Sequence, residues 1–100
     1  MDNIDFKSGD VIYNEFKIDF NKKYSEQEDC LLEDLLQVTY AQGYLLDVGW
    51  YPELESEGEF VVQIVKEKNW EEPIYKSNSK NKEDLVQDLN NAIRIIESKI

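Results

Sequence analysis

YLLDVGWY at residues 44–51 and EFVVQIVK at residues 59–66, joined by PELESEG at 52–58, read as a β-hairpin with an acidic loop. In the first run Leu46, Val48 and Trp50 fall on one face, and Leu45, Asp47, Gly49 and Tyr51 on the other. In the second, Phe60, Val62 and Ile64 alternate against Val61, Gln63 and Val65. Successive side chains of a strand point to opposite faces, so a period of two sustained over eight residues is a strand signal. Pro52 and Gly58 bound the connection with turn-forming residues.

Outward from this hairpin, Trp70–Ser77 is expected to form a third strand. Pro73 confines it to a sheet edge because proline has no N–H to give a ladder. The three runs make an antiparallel meander. After a polar loop over 77–81, Asn81 is placed to cap a helix over Lys82–Lys99, with Glu83 and Asp84 in its first turn. Leu85, Leu89, Ala92, Ile93, Ile96 and Ile100 form its apolar stripe. Upstream, Ser25 and Glu28 have the spacing of a capping box. They are followed by a second helical stripe of Leu31, Leu32, Leu35, Leu36, Val38 and Thr39, with Gly43 as its C-terminal cap. Val11–Phe20 fits two periods. Phe16-Lys17-Ile18-Asp19-Phe20 alternates as a strand, the preferred reading, while Ile12, Phe16 and Phe20 also recur at helical spacing. Residues 1–10 read as an irregular lead-in with a turn at Ser8-Gly9-Asp10. The expectation is one α+β domain over residues 1–100: an antiparallel three- to four-stranded sheet with two helices packed on one face.

Hydrophobic residues are 41% of the chain and aromatics 12%, enough for a folded core rather than a disordered acidic tract. Cys30 is the only cysteine, so no disulfide forms within the chain, and a reducing cytoplasmic setting is expected. The opening residues, Met1 to Asp5, carry no apolar run of the kind a secretory signal needs. The Lys, Asn, Glu and Ile usage is that of an AT-rich bacterial genome.

The charge is unevenly placed. The formal net charge is −11. Between Tyr24 and Val65 there are ten acids and no Lys or Arg: Glu26, Glu28, Asp29, Glu33, Asp34, Asp47, Glu53, Glu55, Glu57 and Glu59. Residues 66–100 carry seven acids and seven bases, and balance. A one-signed field steers cationic partners toward the protein and repels nucleic acid and anionic membrane. The candidate partner-binding residues are therefore Glu26, Asp29, Glu33, Asp34, Asp47, Glu53, Glu55, Glu57 and Glu59, with Tyr51 as an aromatic anchor beside them.

Reaction chemistry is not legible. The chain has no histidine, the usual general base and commonest zinc ligand. Cys30 stands among Glu28, Asp29, Glu33 and Asp34, and negative neighbours raise a thiol's pKa when a nucleophile needs it lowered. Its expected place is in or near the core. Asp47 lies between Leu46 and Val48, and the alternation makes it a solvent-facing position. Glu53-x-Glu55-x-Glu57-x-Glu59 lacks the Asp/Asn, Gly and Glu spacing of a calcium loop, so it reads as a solvated acidic loop. Gly9, Gly43, Gly49 and Gly58 form no phosphate-binding pattern. The expectation is a non-enzyme with no cofactor or metal and no nucleic-acid or membrane partner.

Three segments carry a resemblance: Leu45-Leu46-Asp47-Val48-Gly49-Trp50-Tyr51-Pro52, then Gly58-Glu59-Phe60-Val61-Val62, then Trp70-Glu71-Glu72-Pro73-Ile74-Tyr75. With the helix that follows, residues 44–100 resemble small bacterial immunity proteins of contact-dependent growth inhibition and other polymorphic toxin systems. The resemblance implies a cognate toxin domain, often a basic nuclease, neutralised by tight one-to-one binding. It assigns no binding residue. The charge pattern leads independently to a compatible reading, in which carboxylates cover a cationic active site. Its rivals are a DNA mimic, which needs acids arrayed in two rows like phosphates, and an acidic housekeeping domain whose charge serves solubility alone.

Overall fold

The hairpin forms as its alternation predicts. In a computed structural model, which describes residues 3–100, Tyr44–Tyr51 and Glu59–Lys66 pair antiparallel along their whole length, with Tyr44 opposite Lys66 and Tyr51 opposite Glu59. They are β3 and β4 of a five-stranded antiparallel sheet. The others are β1 (Asp10–Asn14), β2 (Leu36–Thr39) and β5 (Tyr75–Ser79), and the spatial order follows the chain, β1-β2-β3-β4-β5. One helix, α1 (Lys82–Lys99), packs against β3, β4 and β5. Asn81 caps it as expected, its side-chain oxygen accepting from the Asp84 N–H at 2.8 Å. Leu85, Leu89, Ala92, Ile93 and Ile96 are buried, while Ile100 ends the stripe exposed.

The α+β class with an antiparallel sheet holds. The count of three to four strands and two helices does not: among the described residues there are five strands and one α-helix. The expected helix from Ser25 is two single 3-10 turns, Tyr24–Glu26 and Glu28–Cys30, followed by β2. Its apolar positions satisfied two periods at once. At Leu36-Gln37-Val38-Thr39 the period of two wins, with Leu36 and Val38 buried and β-branched residues favouring extension. Tertiary hydrogen bonds outweigh the local helical preference: the Leu35 N–H donates to the Val48 carbonyl at 3.0 Å, and the Leu35 carbonyl accepts from the Glu15 N–H at 2.8 Å. The Ser25–Glu28 capping box is absent. The Glu26 carboxylate instead accepts from the Lys23 N–H at 3.1 Å, and Glu28 accepts from the Ser56 N–H at 3.2 Å. Gly43 caps no helix running from Ser25 but closes a single 3-10 turn, Ala41–Gly43. It sits at φ +81 in the tight β2–β3 turn, a conformation that glycine adopts without steric cost.

Two further boundaries move. The third strand of the meander begins at Tyr75 rather than Trp70 and runs through Ser79, with Pro73 just outside it at the sheet edge. Phe16–Phe20 is not a strand, although Ile18 is buried, Phe16 and Phe20 are half-buried, and Lys17 and Asp19 are exposed, as alternation requires. The strand of that region is β1, earlier in the chain. Of the irregular lead-in expected over 1–10, and of the Met1–Asp5 opening, the first two positions lie outside the described residues.

The core lies between one sheet face and a cover made of α1 and the irregular 16–31 segment. Beyond the helix, aromatic rings complete it. Trp50 meets Phe60 edge-on at 4.8 Å and Tyr24 at 4.7 Å, and Phe16 stacks on Phe60 at 5.9 Å. Such pairs add to the area that each ring buries. Among the described residues no helix is long and apolar enough to cross a membrane.

Candidate functional site

The opposite sheet face has no helix on it, and most of the predicted site residues belong to it. Its central row crosses all five strands: Tyr13, Gln37, Asp47, Gln63 and Lys76 are successive register partners. Asp47 is at the middle and is only 2% exposed, so it is not the solvent-facing acid its place in the alternation suggested. It does lie on the expected face, but its neighbours close over it. Gln37 Nε2 donates to Asp47 Oδ1 at 3.0 Å and Gln63 Nε2 to Asp47 Oδ2 at 3.3 Å. Burial pushes the Asp47 carboxyl above its ordinary range; the two amide hydrogen bonds pull it back, and the charge of Asp34 adds to the rise.

Glu33 and Asp34 reach this face through a backbone detour. The Trp50 N–H donates to the Leu32 carbonyl at 2.8 Å, and the next link, Leu35 to Val48, spans two residues on β3 but three on the incoming chain. The surplus chain bows outward at Glu33-Asp34. It crosses directly over Gly49, where an added Cβ would overlap the Glu33 carbonyl oxygen. Only glycine leaves room for that crossing. The Tyr51 ring leans over the same position. Burial raises the Tyr51 phenol's pKa first, with Asp47, Glu33, Asp34 and Glu53 adding to it in that order. Glu59 is the cross-strand partner of Tyr51 and accepts from Asn78 Nδ2 at 2.7 Å.

Five of the nine predicted acids, Glu33, Asp34, Asp47, Glu53 and Glu59, thus gather about Tyr51. The other four do not join them. Glu26 and Asp29 are exposed in the two 3-10 turns, and Glu55 and Glu57 are exposed in the 52–58 loop. That loop is fastened: Trp50 Nε1 donates to the Glu55 carbonyl at 2.7 Å, the Leu54 N–H to the Leu31 carbonyl at 2.7 Å, and the Glu33 N–H to Glu53 Oε1 at 3.2 Å. The Glu28–Ser56 bond holds the second 3-10 turn against it, so these acids border the same end of the molecule.

Among the described residues there are two salt bridges, Lys7–Asp5 at 3.2 Å and Lys17–Glu15 at 3.4 Å, and neither involves an acid of the Tyr24–Val65 stretch. The stretch is uncompensated in space as it is in sequence. A shallow groove of about 390 Å³ runs beside Tyr51 between Glu59 and Lys76. Among the described residues no three Asp, Glu or Cys side chains converge to hold a metal ion. Sequence reasoning missed Gln37 and Gln63, which hold Asp47. Gln63 was visible in the β4 alternation, but its link to Asp47 needs the strand register, and Gln37 was hidden by the helical reading of residues 25–39. Comparison with family models, curated proteins and solved structures finds no match.

Proposed function

We propose that this protein is an inhibitor of the immunity type, acting in the cytoplasm. Its partner would be a cognate basic toxin domain, such as a nuclease, whose cationic active site it covers with the open sheet face. The observation that carries the reading is the convergence of Glu33, Asp34, Asp47, Glu53 and Glu59 on Tyr51 with, among the described residues, no lysine or arginine paired to any of them. Leaving such charge uncompensated costs self-repulsion, and complementary association relieves it. Nuclease active sites hold phosphates with Lys, Arg or His, so carboxylates can occupy the same positions. Attraction at long range speeds association by about 10–10³-fold, an effect that falls as salt screens it. The compact grouping around one tyrosine favours occlusion of an active site over mimicry of a two-row phosphate backbone. No catalytic or cofactor role belongs to this reading.

The experiment is capture of partners on the tagged protein, washed at low and at high salt, followed by assay of the captured polypeptide. The reading expects one basic polypeptide, released by high salt, whose toxic or nuclease activity is suppressed when the purified inhibitor is added back. A captured basic protein that keeps full activity in the complex contradicts it, and so does failure to capture any basic partner at low salt.

A further inference from the structure

The open face has a second feature, at the end away from Tyr51. Between the pairs Val11–Val38 and Tyr13–Gln37, β1 carries one residue more than β2, and that residue is Ile12. A bulge of this kind re-aims a side chain. Ile12 lines a groove of about 420 Å³ together with Thr39, Leu45, Trp70, Glu67 and Lys68. Its apolar walls are left uncovered by the fold, with Ile12 59% and Trp70 45% exposed. Gln37 also lines the groove, and its amide is the one that binds Asp47, so the groove adjoins the central acid of the same face.

We infer that this groove receives an apolar side chain of the same basic partner, an anchor lying next to its cationic surface; the inference rests on the function proposed above. Charge complementarity selects that occupant. A second copy of this chain would bring −11 against −11 across a face already crowded with carboxylates, whereas a basic protein is attracted by the acids and gains from covering Ile12 and Trp70. An aromatic and aliphatic pocket beside a charged rim is the usual division between slow dissociation and fast association. The two ends then share the work: the Tyr51 end attracts, and the Ile12–Trp70 end holds.

Two synthetic probes separate these roles: a seven-residue peptide alternating lysine and leucine, and its lysine–glycine counterpart of equal charge. Binding is followed by amide chemical shifts on the whole chain at low salt. Both peptides should shift Glu33, Asp34 and Tyr51. The leucine peptide should bind about tenfold more tightly, since burying one such side chain supports a factor of that size, with its additional shifts at Ile12, Leu45 and Trp70. Trp70→Ala and Ile12→Ser should each reduce it to the level of the glycine peptide without changing the melting temperature. Equal affinities, or leucine-dependent shifts elsewhere, overturn the groove assignment and leave the charge reading standing. Failure of the glycine peptide to shift Glu33 or Asp34 overturns the charge reading itself. A concentration-dependent dimer in sedimentation that Trp70→Ala abolishes would give the groove to a second copy and overturn the assignment.

Discussion

The two faces of the sheet are made by the same strands, yet they follow different rules. On the covered face Leu46, Val48, Trp50, Phe60, Val62 and Ile64 are fully buried against α1 and the aromatic cluster. On the open face the same strands present Asp47, Tyr51, Glu59, Gln63 and Lys76, with a carboxylate buried at the centre and apolar side chains left exposed at one end. One face follows the rules of a stable core almost throughout, its exception being the Ser79 hydroxyl, buried opposite Phe60 without a hydrogen-bond partner. The other breaks several at once, with a desolvated acid, like charges in proximity and exposed aromatics. Local violations of this kind concentrate where a protein does something other than fold.

The contrast is sharpest in stability. Trp50→Ala on the covered face should cost about 4 kcal/mol, as for large core aromatics generally, and should also loosen the 52–58 loop by removing the Glu55 hydrogen bond. Chemical denaturation measures the first effect and amide exchange at Leu54–Ser56 the second. Gly49→Ala should cost about 2 kcal/mol, because the new methyl must displace the Glu33 backbone. Unlike the first, this substitution should disperse the acids around Tyr51, visible as a fall in the Tyr51 phenol pKa. At the margin of the covered face, Asn81→Ala should cost about 1 kcal/mol through loss of the helix cap.

Asp47→Asn reverses the sign. A carboxyl whose folded pKa is raised supports folding below its unfolded value, and that support is lost as pH rises through the folded value. At neutral pH ionised Asp47 therefore costs stability, and an amide, which keeps both partners once the Gln37 or Gln63 amide turns to present its oxygen in place of its NH2, should gain about 1 kcal/mol. The gain should shrink as pH falls through the Asp47 titration and vanish below the ordinary carboxylate value of 3.8. Unfolding curves for both proteins across that range check it. A destabilised variant at neutral pH would mean that Asp47 is there for structure alone.

How far the sequence discloses this arrangement also differs between the faces. β3, β4 and α1 were legible because each carries one strong period and its own boundary residues, Pro52, Gly58 and Asn81. β2 was not, because Leu31, Leu32, Leu35 and Leu36 fit a helical stripe as well as a strand. Only the hydrogen bonds to Glu15 and Val48, distant in sequence, decide between them. Phe16–Phe20 had the right faces but no strand to pair with. The acids were identifiable as a class; their convergence was not. It depends on the Glu33-Asp34 detour over Gly49 and on the register that brings Gln37, Asp47 and Gln63 into one row.

The central claim is that the open face binds while the covered face stabilises. The measurement that tests it most directly pairs unfolding free energy with affinity for the captured basic partner, in the parent and in the Glu33→Lys/Asp34→Lys double variant. Both side chains are exposed, so stability should change by no more than about 0.5 kcal/mol. Affinity should fall at least tenfold, on the order of what opposing charges at an interface cost, with a weaker dependence on salt. An unchanged affinity with the fold intact would contradict the account.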